Sequence, residues 1–154
     1  MRAVVQRVLR ARVTVDGAET GAIEDGLLVY VAVAPEDTST EVEWMARKLA
    51  ELRLFEGANG FLDRSVEEAG GAVLLVSQFT LYADTRRGRR PDFTGAARPE
   101  VAAPLIDAVA VALRARGLHV AEGRFGAHMV VDATNDGPVT ILLDSADLDR
   151  PRRG

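Results

Sequence analysis

Leu27-Leu28-Val29-Tyr30-Val31-Ala32-Val33-Ala34 is a run of apolar residues with no polar break. A strand with one face in water alternates polar and apolar side chains. An unbroken run rich in β-branched residues instead predicts a strand covered on both faces. With roughly seven strands and two helices read around it, in the order that follows, the segment belongs to a compact α/β domain.

Reading backward, Asp25-Gly26 is a turn signal and Thr20 to Ile23 a short return strand. Asp16-Gly17 is a second turn, and residues 2–15 read as one long strand carrying Val4, Val8, Val13 and Val15. Reading forward, Pro35-Glu36-Asp37 ends the run, and Thr38 with Glu41 has capping-box spacing. Val42, Met45, Leu49 and Leu52 then mark the inner face of a helix. Gly57 to Gly60 is a turn, 61–70 reads as irregular, and Ala72 to Ser77 is a second buried strand. Asp84 to Pro91 is a charged loop. Pro99 to Arg116 is a helix with the stripe Val101, Leu105, Val109 and Leu113, stopped by Gly117. Leu118 to Glu122 and His128 to Thr134 are strands, Asn135-Asp136-Gly137-Pro138 is a hairpin turn, and Val139 to Leu143 is the last strand. The expected fold class is a single compact α/β domain over residues 1–145, with a mixed, strongly curved, barrel-like sheet and two main helices. Residues 146–154 form a polar, frayed tail.

Composition narrows the chemistry. The 154 residues contain no cysteine, which excludes disulfides, thiolate nucleophiles and cysteine-bound zinc. No apolar run approaches a membrane span, and the first residues do not read as a secretory leader, so a cytoplasmic address with no membrane partner is expected. The net charge of −4 argues against a general nucleic-acid binder. The arginines are clustered, however: Arg2, Arg7, Arg10 and Arg12 on the first strand, Arg86, Arg87, Arg89 and Arg90 in one loop, Arg150, Arg152 and Arg153 at the end. A bipolar surface of this kind can hold one RNA end locally.

There is no His-Glu-x-x-His pattern, Gly-x-Ser-x-Gly elbow or Walker loop, and neither His119 nor His128 has a carboxylate partner by spacing. The expectation is therefore no metal and no cofactor. Three segments hold chemistry-bearing groups. Ser77-Gln78-Phe79-Thr80-Leu81-Tyr82-Ala83 sets hydroxyls and an amide at the end of a buried strand. There they either satisfy turn backbone or frame an oxyanion hole. Arg86-Arg87-Gly88-Arg89-Arg90-Pro91 is either a solvated charge run or a phosphate clamp. Gly137-Pro138 is, by composition, only a turn.

Together these segments resemble the D-aminoacyl-tRNA deacylase family, from Met1 to about Ser145. The resemblance is carried by Met1-Arg2-Ala3-Val4-Val5-Gln6-Arg7-Val8, Ser77 to Asp84, Gly88-Arg89-Arg90-Pro91, Gly123-Arg124-Phe125-Gly126 and Asn135 to Thr140. Asp63 and Ala32 depart from the usual pattern, where Asn and Gly are frequent. The resemblance implies that family's fold and a homodimer that removes D-amino acids from the aminoacylated 3′ end of tRNA, and also glycine from mischarged tRNA-Ala. It implies a catalytic segment Ser77, Gln78, Phe79 and Thr80. It further implies a chiral selector in which a cis Gly137-Pro138 peptide enters the partner's pocket, with Arg7 holding it and Met129 bordering the adenine. Arg86, Arg87, Arg89 and Arg90 would bind the tRNA, and the terminal 2′-hydroxyl would assist hydrolysis. Three other readings remain open at this point: a non-catalytic tRNA-end-binding module, an L-selective editing domain of related fold, and a general small esterase.

Overall fold

The computed structural model describes residues 1–149. Its strands are β1 (Arg2–Val15), β2 (Ala18–Ile23), β3 (Gly26–Ala32), β4 (Phe55–Gly57), β5 (Gly60–Arg64), β6 (Ala72–Ser77), β7 (Val120–Glu122) and β8 (Val130–Asp144). The helices are α1 (Ser39–Glu51), α2 (Val66–Ala69) and α3 (Pro99–Ala115), with 3₁₀ turns at Phe79–Tyr82 and Ser145–Asp149.

The long first strand organises the sheet. One edge of β1 pairs antiparallel with β3 from Arg2↔Ala32 to Val8↔Gly26, then with β2 from Ala11↔Ile23 to Val15↔Ala18. Its other edge carries β8 from Arg2↔Asp144 to Thr14↔Val130. β6 and β7 add in parallel beyond β3, so the sheet is mixed and runs β2-β1-β3-β6-β7 with β8 on the far side of β1. The sheet curls until β2 meets β7, giving a nearly closed barrel. A Cβ at Gly21 would collide with the Glu122 carbonyl, so glycine permits that approach.

The apolar run behaves as its pattern requires. Leu27, Val29, Val31 and Val33 face one core with Met45 and Leu49 of α1 and Val109 and Leu113 of α3. Leu28 faces a second core inside the curl with Val8, Ala11, Val13, Ile23, Leu74 and Val76. Truncating a fully buried leucine in such a core costs about 2–5 kcal/mol. The capping box of α1 is formed: Thr38 N donates to a Glu41 carboxylate oxygen at 2.7 Å and Thr40 N to Thr38 Oγ1 at 3.3 Å.

Three expectations change. The buried residues of α3 are Ala102, Ile106, Val109, Ala110 and Leu113, while Val101 is 42% exposed. Successive i+4 steps gain about 40° on a 3.6-residue turn, so a stripe of such steps leaves the buried face. Residues 61–70 are not irregular: β5 hairpins onto β4, and Ser65 and Glu68 form a second capping box starting α2. The two C-terminal strands are one strand, β8, and 135–138 is not a hairpin turn but a bulge within it.

The start of β1 meets the exit of β8. The Met1 ammonium is buried and donates to Asp37 Oδ1 at 2.7 Å and Ser145 Oγ at 2.6 Å. Asp37 Oδ2 accepts from Ala34 N at 2.6 Å. Burying a charge is tolerable when it is paired this way. The network ties the start of β1, the end of β3, the entry to α1 and the exit of β8. Of the expected tail, residues 146–149 continue the second 3₁₀ turn, which starts at buried Ser145. Arg150, Arg152 and Arg153 lie outside the described residues.

Candidate active site

Beyond the C-terminal ends of the parallel strands β3 and β6 lies an open cleft of about 710 Å³, where α/β sheets commonly bind ligands. Val31, Ala32 and Val33 form its floor, and Ser77, Gln78 and Phe79 one wall. The segment 93–98, the first turns of α3, Phe125 and Gly126 form the rest. Ala97 N donates to Val33 O at 2.8 Å, pinning that segment to the strand end. Among the described residues, Arg98 is the only ionisable side chain in the lining, and a guanidinium does not act as a base in proteins. Neither histidine lines the cleft; both are exposed.

The polar end of β6 is built by hydrogen bonds. Gln78 N donates to Val31 O at 2.8 Å, the last tie to the sheet. The Gln78 side-chain amide then donates to Thr80 Oγ1 at 2.6 Å. Thr80 is exposed, lies outside the cleft's lining and is joined to the wall through Gln78. Its oxygen accepts from Gln78, and among the described residues no base accepts its proton. Within the turn, Leu81 N donates to Gln78 O and Ala83 N to Thr80 O. The first N–H groups of a helical turn have no acceptor inside it, which leaves those of Phe79 and Thr80 without a partner in the turn. Phe79 is 57% exposed and rests edge-on against Phe93, ring centroids 5.2 Å apart.

The turn Phe79–Tyr82 contains no buried residue, so discrete contacts hold it. Arg2 supplies several: it donates to Leu81 O at 3.2 Å and Asp144 Oδ2 at 3.0 Å, and its guanidinium lies 4.5 Å from the Tyr82 ring centre. Burial, with Asp37 and Asp144 nearby, raises the Tyr82 pKa well above the phenol range. The sequence reading gave Arg2 no role in the site, and only its place at the head of β1 hinted at one. Nor did it include Arg98, Phe93 and Phe125; Phe125 stood in a quoted motif without a role.

Gly137 and Pro138 form a second site. Val8 pairs with Asn135 and Gln6 with Thr140, so Asp136 to Val139 stand opposite Arg7 alone and bulge outward. The Gly137-Pro138 peptide is cis, Gly137 has φ +119°, and both residues are exposed. Asn135 closes the neck, its amide donating to Arg7 O at 2.9 Å and Val139 O at 3.0 Å. Arg7 is 5% exposed. It donates to Leu54 O at 2.7 Å and lies 4.5 Å from the Phe61 ring centre. Its Nε is 3.0 Å from Asp136 Oδ2 but off the line of the N–H, so that contact is Coulombic. Asn135 was quoted as turn former; its role in the neck was not read.

The strand register separates these two sites within one chain. Ser77 aligns with Val31 and so with Ala3, whereas the bulge sits at Arg7. That is roughly 13 Å along the strands and about 14 Å across three strand spacings. Met129 belongs to neither: its sulfur sits over Gly123 and accepts from Arg124 N at 3.4 Å.

The arginine loop borders the cleft. Thr94 lines both the cleft and a neighbouring cavity walled by Asp84, Arg86, Arg87, Arg90 and Asp92. Among the described residues, no helix is long and apolar enough to cross a membrane.

Residues 4–144 match the family model described as D-Tyr-tRNA(Tyr) deacylase. A protein named D-aminoacyl-tRNA deacylase from Chloroflexus aurantiacus is 59% identical over 153 residues, covering 99% of this chain and 96% of that one. One of the same name from Deinococcus radiodurans is 56% identical over 94% of this chain and 99% of its own. A solved structure described as c-Myc DNA Unwinding Element Binding Protein superposes with a TM-score of 0.88 at 43% identity, over 94% of this chain and 99% of that one. A probable eukaryotic D-amino acid tRNA deacylase shares the fold, with a TM-score of 0.81 at 20% identity, over 92% and 97%. With a family model along most of its length and relatives of this similarity, the chain belongs to the D-Tyr-tRNA(Tyr) deacylase family and is a hydrolase that cleaves an ester bond.

Proposed function

We propose that this protein hydrolyses the ester joining a D-amino acid to the 3′-terminal adenosine of tRNA, with glycyl-tRNA as a second substrate, and does so in the cytoplasm. The observation that carries the reading is a cleft with hydrogen-bonding groups at a strand end and no titratable acid or base in its lining. Water adds to the ester carbonyl, the ester C–O bond breaks, and the ribose 3′-oxygen leaves with a proton. An aminoacyl ester is activated enough to need only a placed water and a stabilised oxyanion. The N–H groups of Phe79 and Thr80 supply that stabilisation, one such donor being worth about 3 kcal/mol. The neighbouring 2′-hydroxyl of the ribose assists the water. Ser77 and Gln78 shape the centre, Thr80 positions, and the Phe79–Phe93 pair offers a face to the base. The arginine loop beside the cleft meets the RNA strand.

Chirality is sorted by backbone. The protein acts as a homodimer in which the Gly137 and Pro138 carbonyls of one copy hold the α-amino group in the other's cleft and obstruct an L side chain. The separation of bulge and cleft within one chain supports this, since the bulge cannot close its own cleft. Glycine has no side chain to obstruct. The test is deacylation of matched D-, L- and glycyl-tRNAs by the purified protein. D and glycyl esters are expected to be cleaved and L esters spared. Equal cleavage of D and L, or resistance of glycyl-tRNA, overturns the proposal.

A further inference from the structure

Resting on that reading, we infer that Arg87 and Arg90, and not Arg86, form a subsite for the phosphodiester on the 5′ side of the terminal nucleotide. The four loop arginines look alike in sequence, but the structure divides them. The loop is closed at its neck by paired backbone hydrogen bonds between Asp84 and Asp92, 2.7 and 2.9 Å. Arg86 folds back onto that neck: its Nε lies 2.9 Å from Asp84 Oδ1 and its Nη2 2.6 Å from Asp84 Oδ2. Its bidentate fork is thus already filled by a carboxylate, the geometry it would need for a phosphate. The same contact holds the Asp84 carboxyl down at about 2.

Arg87 and Arg90 have no carboxylate partner among the described residues, and both line the cavity of about 770 Å³ beside the cleft. With Arg86 and Asp84 cancelling, the cavity sets two free guanidinium groups against Asp92. Asp92 is itself engaged, accepting from Thr94 N at 2.9 Å and Thr94 Oγ1 at 2.5 Å. The cavity therefore carries positive charge on a chain whose net charge is −4. Thr94 stands in the walls of both cavities. A strand whose last nucleoside fills the cleft passes its next phosphate over that shared wall. The ligand class is a singly charged phosphodiester within an RNA strand.

Binding of an unacylated RNA oligonucleotide ending in 3′-adenosine, followed by fluorescence anisotropy, tests this without any ester chemistry. The Arg87→Ala/Arg90→Ala variant is expected to bind at least tenfold more weakly, with a salt slope flatter by about 0.7 for one single-strand phosphate contact. An oligonucleotide carrying a neutral methylphosphonate at that one linkage should lose the same factor on the wild type and lose nothing more on the variant. Arg86→Ala combined with Asp84→Asn, which removes the cancelling pair and leaves the cavity's charge unchanged, should change affinity less than twofold. Losses that simply add, a penalty from the Asp84/Arg86 variant as large as from the Arg87/Arg90 variant, or competition by millimolar inorganic phosphate alone at full strength would overturn the assignment. Failure of the wild type to cleave D-aminoacyl esters would sink the proposed reaction and leave this binding result standing.

Discussion

Replacing Arg7 by alanine tests how the Gly137-Pro138 bulge is held. The side chain is buried and makes three contacts: a hydrogen bond to Leu54 O at 2.7 Å, a ring contact with Phe61 at 4.5 Å, and a charge contact with Asp136 at 3.0 Å. A hydrogen bond from a charged donor contributes about 1.5–3 kcal/mol, and the ring contact with half-exposed Phe61 about 0.5–1 kcal/mol. Asp136 is 42% exposed and stays solvated without its partner, so that term is at most about 1 kcal/mol. Allowing for non-additivity, the loss is about 3 kcal/mol, on the order of 6–12 °C in Tm for a domain of this size. Urea and thermal unfolding measure this part. The functional part is the ratio of D- to L-aminoacyl-tRNA cleavage, which should shrink as the bulge loosens. Arg7→Lys should recover part of the stability but less of the ratio, because an ammonium reaches the Leu54 carbonyl without spanning Phe61 and Asp136 together. A loss below about 1 kcal/mol would refute the energetic argument. Full destabilisation with an unchanged ratio would refute the link between the bulge and stereoselection.

Arg2→Ala should lower kcat about tenfold with little change in KM or Tm, since it releases the Phe79–Tyr82 turn and touches no buried core; a Tm loss with kcat intact would assign Arg2 to stability alone. Thr80→Ala should retain measurable turnover under the proposed positioning role of its hydroxyl; complete loss of turnover with substrate binding preserved would make it a nucleophile or an essential donor. Tyr30 and Tyr82, the two tyrosines of the chain, both have pKa values raised by burial, from an ordinary value of 10.0. A raised folded pKa contributes stability that is complete below the unfolded pKa and is lost as pH rises toward the folded one. Stability should therefore hold up to about pH 10 and decline above it, with phenolate absorbance appearing later in the folded than in the urea-unfolded protein; coincident titrations would contradict the burial.

Local sequence carried the elements whose partners are dictated by composition. The run 27–34 had to be covered twice, and Thr38 with Glu41 had to start a helix. The same capping-box rule applied at Ser65 and Glu68, but a helix of one turn shows no apolar periodicity to support it. The bulge at Gly137-Pro138 was read as a reversal because Asn-Asp-Gly-Pro is made of turn formers. Whether such a segment reverses a strand or bulges from it depends on what pairs on either side. Here both halves pair with β1, a partner more than a hundred residues away. The candidate site divides in the same way. Ser77 to Phe79 were legible because polar groups close a buried strand. Phe93, Arg98 and Phe125 reach the cleft from distant segments, and Arg2 reaches its turn across the sheet from Asp144. Nothing in their immediate neighbours marks them.

The cleft's lack of an ionisable side chain other than Arg98 has a consequence for how the reaction responds to its surroundings. A wall whose charge stays fixed across neutrality adds no inflection of its own to a rate profile. Any bend near pH 7 to 8 must then come from the incoming ester, above all from its α-ammonium losing a proton. The same invariance keeps the donors aimed at the carbonyl in one state, so the shape of the rate profile reports the protonation of the ester and not that of the cleft.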